Sequence, residues 1–154
     1  MVCAPPAPML CRPQDFPPPL PWNEGRQRRI SPAERPIALV IDDEHIIADT
    51  IAQILNMRGF AAVPLYSGQA AVEQAWTQCP AIVITDVVMP GLDGIETAKR
   101  LLKHCPSTKI LLLSGQAATV EMMRQARADG FNFELLAKPV HPEDLLSVLR
   151  RLGF

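Results

Sequence analysis

From residue 37 onward, five short apolar runs alternate with segments whose apolar positions recur at helical spacing. The runs are Ile37-Ala38-Leu39-Val40-Ile41, Phe60 to Leu65, Ile82-Val83-Ile84-Thr85-Asp86, Lys109 to Leu113 and Phe133 to Ala137. Near-continuous runs of β-branched residues and leucine mark strands covered on both faces, the habit of parallel sheets. Glu44 to Arg58 repeats Ile47, Ile51, Ile54, Leu55 and Met57 as one apolar face, and Gly59 follows as its stop. Ala70 to Gln78 carries Ala71, Val72 and Ala75; Ile95 to His104 carries Ile95, Ala98, Leu101 and Leu102 and is halted by Pro106. Ala117 to Ala128, closed by Gly130, and Pro142 to Leu152 complete the series. This alternation predicts an α/β domain of (βα)5 form, a doubly wound parallel sheet with helices on both faces, because each right-handed crossover must cover one of them.

The pattern starts late. Ten of the 16 prolines, among them Pro17-Pro18-Pro19, fall within the first 36 residues, a composition that cannot build a ladder or a helix. A disordered Pro-rich N-terminal arm is therefore expected over residues 1–35 and a folded domain over 36–154, with no second domain after Phe154. At 154 residues and 48% hydrophobic composition, the chain can bury one sizeable core. The net charge is −1, split as +2 through Pro36 (five Arg, three acids) and −3 afterwards, which is too weak a basic arm for a direct nucleic-acid partner. Cys3, Cys11, Cys79 and Cys105 show no CxxC spacing and no ligand spacing with the three histidines, so neither structural zinc nor a disulfide framework is expected. No apolar run nears the roughly 20 residues that span a bilayer, and Met1 to Cys11 is broken by prolines and lacks a basic leader, so the expectation is a cytoplasmic protein without a membrane partner.

Polar residues cluster at one kind of place. Asp42 and Asp43 follow the first strand, Asp86 ends the third, Ser114 follows the fourth and Lys138 follows the fifth. Alone, Asp86 ahead of Met89-Pro90-Gly91 reads more readily as a turn or helix cap than as a functional carboxylate. In a parallel sheet, however, all these ends point the same way, toward the edge where ligands sit. Three carboxylates gathered there repel one another unless a cation offsets them, and a hard divalent ion with oxygen ligands, Mg²⁺, suits the set. A carboxylate beside such an ion can attack phosphorus, with an ammonium and a hydroxyl placed for the phosphoryl oxygens.

Four motifs in this order, Val40-Ile41-Asp42-Asp43-Glu44, Thr85-Asp86-Val87-Val88-Met89-Pro90-Gly91-Leu92-Asp93-Gly94, Leu113-Ser114-Gly115 and Lys138-Pro139, resemble the response-regulator receiver domain of two-component signalling over Pro36 to Phe154. The resemblance implies a flavodoxin-like fold with strand order 2-1-3-4-5. It implies Asp86 as phosphoacceptor, taking the group from the phosphohistidine of a sensor histidine kinase or phosphotransfer protein. Asp42, Asp43 and Asp86 would hold Mg²⁺ with the backbone carbonyl of Val88, Asp43 being the more direct ligand. Ser114 would approach the phosphoryl oxygens and Lys138 would pair with them across a cis Lys138-Pro139 bond. The output face would be that of the fourth helix, fifth strand and fifth helix, docking an unknown downstream protein. Such a chain is a stand-alone switch without an output domain and not an enzyme, beyond Mg-dependent self-phosphorylation and slow self-dephosphorylation.

Two departures stand out. The position three before Lys138, where receivers carry an aromatic switch residue, is Leu135, and Phe131 and Phe133 lie seven and five before it. The eight-residue span from Gly130 to Lys138 is one longer than the family's, which suggests a bulge bringing Phe133 into that role, or no aromatic at all. Val88 and Gln116 lie where family members orient or obstruct the hydrolytic water. His45, His104 and His141 read as exposed or helix-end positions, and at least one of Met122 and Met123 reads as core. Two other functions fit parts of the pattern. One is a receiver-like binding module independent of phosphorylation. The other is a phosphohydrolase with an aspartate nucleophile, although Val88 stands where such enzymes repeat an acid.

Overall fold

The computed structural model describes residues 35–115 and 119–154; the Pro-rich arm expected over 1–35 lies outside them but for its last residue. The strands are β1 (Ile37–Ile41), β2 (Ala61–Leu65), β3 (Ile82–Asp86), β4 (Lys109–Ser114) and β5 (Glu134–Ala137). The helices are α1 (His45–Met57), α2 (Gly68–Thr77), α3 (Gly94–His104), α4 (Thr119–Ala128) and α5 (Pro142–Leu152). All pairings are parallel, in the order β2-β1-β3-β4-β5 expected of a flavodoxin-like sheet.

Side chains alternate across each strand, so one apolar run serves two cores. In β1, Leu39 and Ile41 join Val83, Ile110 and Leu112 against Ala71, Ala75, Ile95, Ala98, Leu101 and Met123 of α2, α3 and α4. Ala38 and Val40 join Ile82, Ile84, Leu111 and Leu113 against Ile51, Leu55, Leu145 and Leu149 of α1 and α5. Pro64 is tolerated inside β2 because that strand lies at the sheet edge. Among the described residues, no helix is long and apolar enough to cross a membrane.

Helix starts follow local chemistry. α2 begins two residues ahead of the expected Ala70 because the Ser67 hydroxyl accepts from the Ala70 N–H at 3.2 Å, capping the first turn. Asp93 does the same for α3, accepting from Glu96 N–H at 2.8 Å, and Pro142 opens α5. The expected start of α4 at Ala117 lies outside the described residues.

Three expectations are corrected. Met57 is 80% exposed rather than part of the α1 apolar face. It lies two residues past the buried Leu55, about 200° round the helix, and the inner face is Ala48, Ile51, Ala52 and Leu55 instead. β5 contains no bulge: it pairs with β4 without interruption from Leu111↔Glu134 to Ser114↔Ala137, and the extra residue is taken up in the 131–133 connection. Finally, Cys79 and Cys105 form a disulfide, with Cα atoms 5.6 Å apart. Ile82 pairs with Lys109, so two cysteines three and four residues upstream of those partners arrive side by side, although 26 residues separate them in sequence.

Candidate functional site

The C-terminal ends of β1, β3, β4 and β5 carry the polar residues singled out from the sequence. Asp42, directly after β1, is fully buried. Its Oδ1 accepts from the Glu44 N–H at 2.9 Å and its Oδ2 accepts from Lys138 Nζ at 2.7 Å. The Asp42 N–H donates to the Leu65 carbonyl at 3.1 Å, fixing the loop to β2. Asp43 is exposed, while Asp86 at the end of β3 is buried with 8% of its surface remaining. Carboxylate oxygens of Asp42, Asp43 and Asp86 all lie within 4.8 Å of one another.

Lys138 lies across this group. Its Nζ is 3.0 Å from Asp86 Oδ2 as well as bonded to Asp42, and its backbone N–H donates to the Ser114 carbonyl at 2.7 Å. The ends of β4 and β5 are thereby locked together beside the carboxylates. Burial works against the Lys138 charge, but the hydrogen bonds and charges of Asp42 and Asp86 outweigh it and raise the ammonium pKa above the ordinary lysine value. Ser114 is buried at the end of β4, and the Lys138-Pro139 bond is cis.

The loop after β3 is held close to the site. The Val88 N–H points to Asp86 Oδ1 at 3.4 Å, whereas the Val88 side chain is 44% exposed at the rim. Val87 bonds back to the Leu113 carbonyl at 2.9 Å, and Gly94 bonds to the Val87 carbonyl at 3.0 Å. Gly94 packs so tightly that a Cβ there would overlap the backbone of Asp86 and Val87. Gln116 lies outside the described residues.

Three carboxylates within reach of one another, one of them open to solvent, offer the oxygen donors a magnesium ion requires, so the residues present fit such an ion. The acidic side of the rim continues into contacts not expected from the sequence. Tyr66, directly after β2, donates to Asp49 Oδ1 at 2.8 Å and stacks on His45 with ring centroids 3.8 Å apart. Its position immediately past a strand end, shared with Asp42 and Lys138, was the available signal. Leu135 is 44% exposed on β5, whereas Phe133 is buried ahead of the strand, 5.7 Å from the Phe131 ring. Met123 is core and Met122 half-buried, while His104 and His141 are exposed.

The family model of the response regulator receiver domain matches residues 38–150. The chain is 35% identical over 117 residues to the uncharacterized transcriptional regulatory protein YesN of Bacillus subtilis, covering 74% of this chain and 31% of that protein. It is 28% identical over 119 residues to the transcriptional regulatory protein CreB of Escherichia coli, covering 77% and 51%. The chain thus spans about half or less of the length of these relatives. Among solved structures, the chemotaxis protein CheY4 of Vibrio cholerae superposes with a TM-score of 0.68 at 27% identity, over 76% of this chain and 98% of that one. A receiver domain protein of Clostridium thermocellum gives 0.68 at 29%, over 75% and 92%. Receiver domains are signalling switches that interact with histidine kinases or phosphotransfer proteins and bind Mg²⁺ at an acidic site. Fold, motif order and family match agree, and the chain belongs to the response regulator receiver domain family.

Proposed function

We propose that this domain is the phosphoacceptor of a two-component relay and that Asp86 is the residue modified. The observation that carries this reading is the position of Lys138 Nζ, bonded to Asp42 and 3.0 Å from Asp86 Oδ2, while Asp43 remains open to solvent on the same rim. An Asp86 carboxylate oxygen attacks the phosphorus of a phosphohistidine. The P–N bond breaks, the imidazole leaves with its electron pair and takes up a proton, and an acyl phosphate remains on Asp86. Asp42, Asp43, Asp86 and the Val88 carbonyl would hold Mg²⁺, which supplies charge neutralisation to the phosphoryl oxygens when bound. Asp43 suits direct ligation because Asp42 already spends both its oxygens on Glu44 and Lys138.

In the same reading, Lys138 leaves its carboxylate partners in part to pair with the new phosphoryl group, and Ser114, tied to Lys138 through the backbone, contacts another of its oxygens. The signal passes to a protein partner at α4, β5 and α5. Exposed Val120 and Leu135 line a groove between α4 and β5 beside Arg124 and Arg127, and no aromatic side chain lies in β5 to report on Ser114. Incubation with Mg²⁺ and acetyl phosphate, followed by intact mass, tests the proposal. One added phosphoryl group is expected, and none in Asp86→Asn. Equal labelling of the variant, or steady phosphate release from unrelated monoesters, overturns it.

A further inference from the structure

The opposite ends of β3 and β4 carry a second cluster with chemistry of its own. Cys79 lies in the segment entering β3 and Cys105 caps the C-terminus of α3, and they are joined as a disulfide. His104 precedes Cys105 in sequence, and its imidazole, the two sulfurs and their neighbours form a tight group: one ligand atom from each of Cys79, His104 and Cys105 lies within 4.8 Å of the others. Cys105 is buried, but Cys79 and His104 are exposed, so the group opens to solvent on one side. The His104 ring packs on Trp76, with centroids 4.1 Å apart, and Trp76 is itself 66% exposed.

We propose that Cys79, His104 and Cys105 form a redox-gated site for a thiophilic divalent cation of the zinc class, closed while the disulfide stands and opened by its reduction. Two sulfurs and an imidazole nitrogen are zinc donors, binding at about 2.3 and 2.0–2.1 Å. Tetrahedral geometry at those lengths separates donors by roughly 3.5–3.8 Å, inside the 4.8 Å within which the three ligand atoms already lie of one another. A disulfide alone has no use for the third donor, and in a reducing compartment such a bond is a transient state rather than a permanent staple.

The step balances. A dithiol reductant transfers two electrons and two protons to the Cys79–Cys105 bond and is itself oxidised to a disulfide, leaving two thiols. Cation binding then releases both thiol protons to water, giving two thiolates and a neutral imidazole around the ion, with water in the fourth position. Reoxidation of the sulfurs by a disulfide expels the ion. Metal and disulfide exclude one another because they use the same two atoms.

Cobalt(II) is the probe, added to the chain carrying Cys3→Ser and Cys11→Ser so that Cys79 and Cys105 are the remaining cysteines. The reduced chain is expected to bind with thiolate-to-cobalt charge-transfer bands and intense tetrahedral d–d absorption, both bleached by Zn²⁺. The acidic rim offers only oxygen and cannot produce these bands. His104→Ala should weaken binding roughly tenfold or more, since even outer-shell losses reach that size. Trp76 fluorescence should change as His104 turns to the ion. In the reduced chain with all four cysteines retained, Zn²⁺ should protect Cys79 and Cys105 from alkylation, read by peptide mass. Absence of charge-transfer bands, equal cobalt affinity in the oxidised chain, unchanged affinity in His104→Ala, or alkylation at the same rate with and without Zn²⁺ overturns the proposal.

Discussion

Lys138 Nζ donates to Asp42 Oδ2 at 2.7 Å, although Asp42 has no surface of its own exposed to water. Removing the ammonium leaves a buried carboxylate with the Glu44 N–H as the remaining partner of its side chain among the described residues. Lys138→Met is therefore expected to lower stability by about 1–3 kcal/mol, below the roughly 3–5 kcal/mol of a fully buried broken pair because the lysine keeps some solvent contact. Mg²⁺ should raise the urea midpoint of the variant more than that of the parent, since the ion supplies the missing positive charge. Equal magnesium shifts in the two proteins would show that Lys138 does not neutralise the rim.

Gly94 is the tightest point beneath Asp86. A methyl group there overlaps the Asp86 carbonyl and the Val87 backbone, and backbone yields less readily than a side-chain tip. Gly94→Ala should cost roughly 2–3 kcal/mol in denaturant unfolding, at the upper end of the overpacking range. It should also slow acetyl phosphate labelling, because the strained loop carries Val88. A variant as stable as the parent would mean that α3 moves freely away from β3.

Val88 presents an exposed hydrocarbon two residues beyond Asp86 and has no side-chain group to orient a water. Phosphorylated Val88→Asn is expected to lose its phosphate several-fold faster than the parent, followed by intact mass after removal of the phosphodonor. Identical decay would assign water positioning to other residues.

Tyr66 is the single tyrosine of the chain, so its titration can be read alone by absorbance near the tyrosinate band. The hydrogen bond to Asp49, aided by some burial and by the Asp49 charge, raises the phenol above its ordinary 10.0. A raised folded-state pKa adds stability that is fully present below the unfolded value and is lost as pH climbs through the folded one. Asp49→Asn should bring the midpoint back toward 10.0 and remove this alkaline pH dependence. A midpoint that stays put would leave the Asp49 contact without electrostatic weight.

The sequence made the sheet readable because its inner strands β1, β3 and β4 are buried on both faces and so appear as nearly unbroken apolar runs. The rim was readable for a related reason: where a buried strand ends, its first polar residue is forced to the edge, as with Asp42, Asp86, Ser114 and Lys138. Other features answered to longer-range geometry. Met57 fits an apolar count along α1 but not its angle around the axis, and Ala48 and Ala52, too small to announce a face, do the packing there. The Cys79–Cys105 pairing is set by the register of β3 against β4, which no local spacing encodes. Phe133 resembles the first residue of a strand in composition, yet its side chain is committed to the core beside Phe131 before β5 begins.

The Cys79–Cys105 bond closes a ring of chain that contains the whole of β3 and α3, and therefore Asp86 itself. A protease cutting once anywhere inside that ring leaves the halves covalently tethered, so the nicked molecule migrates as one species until a reductant is added. The strand bearing Asp86 and the one bearing Ser114 are thereby tied together where they begin, at the end opposite those two side chains.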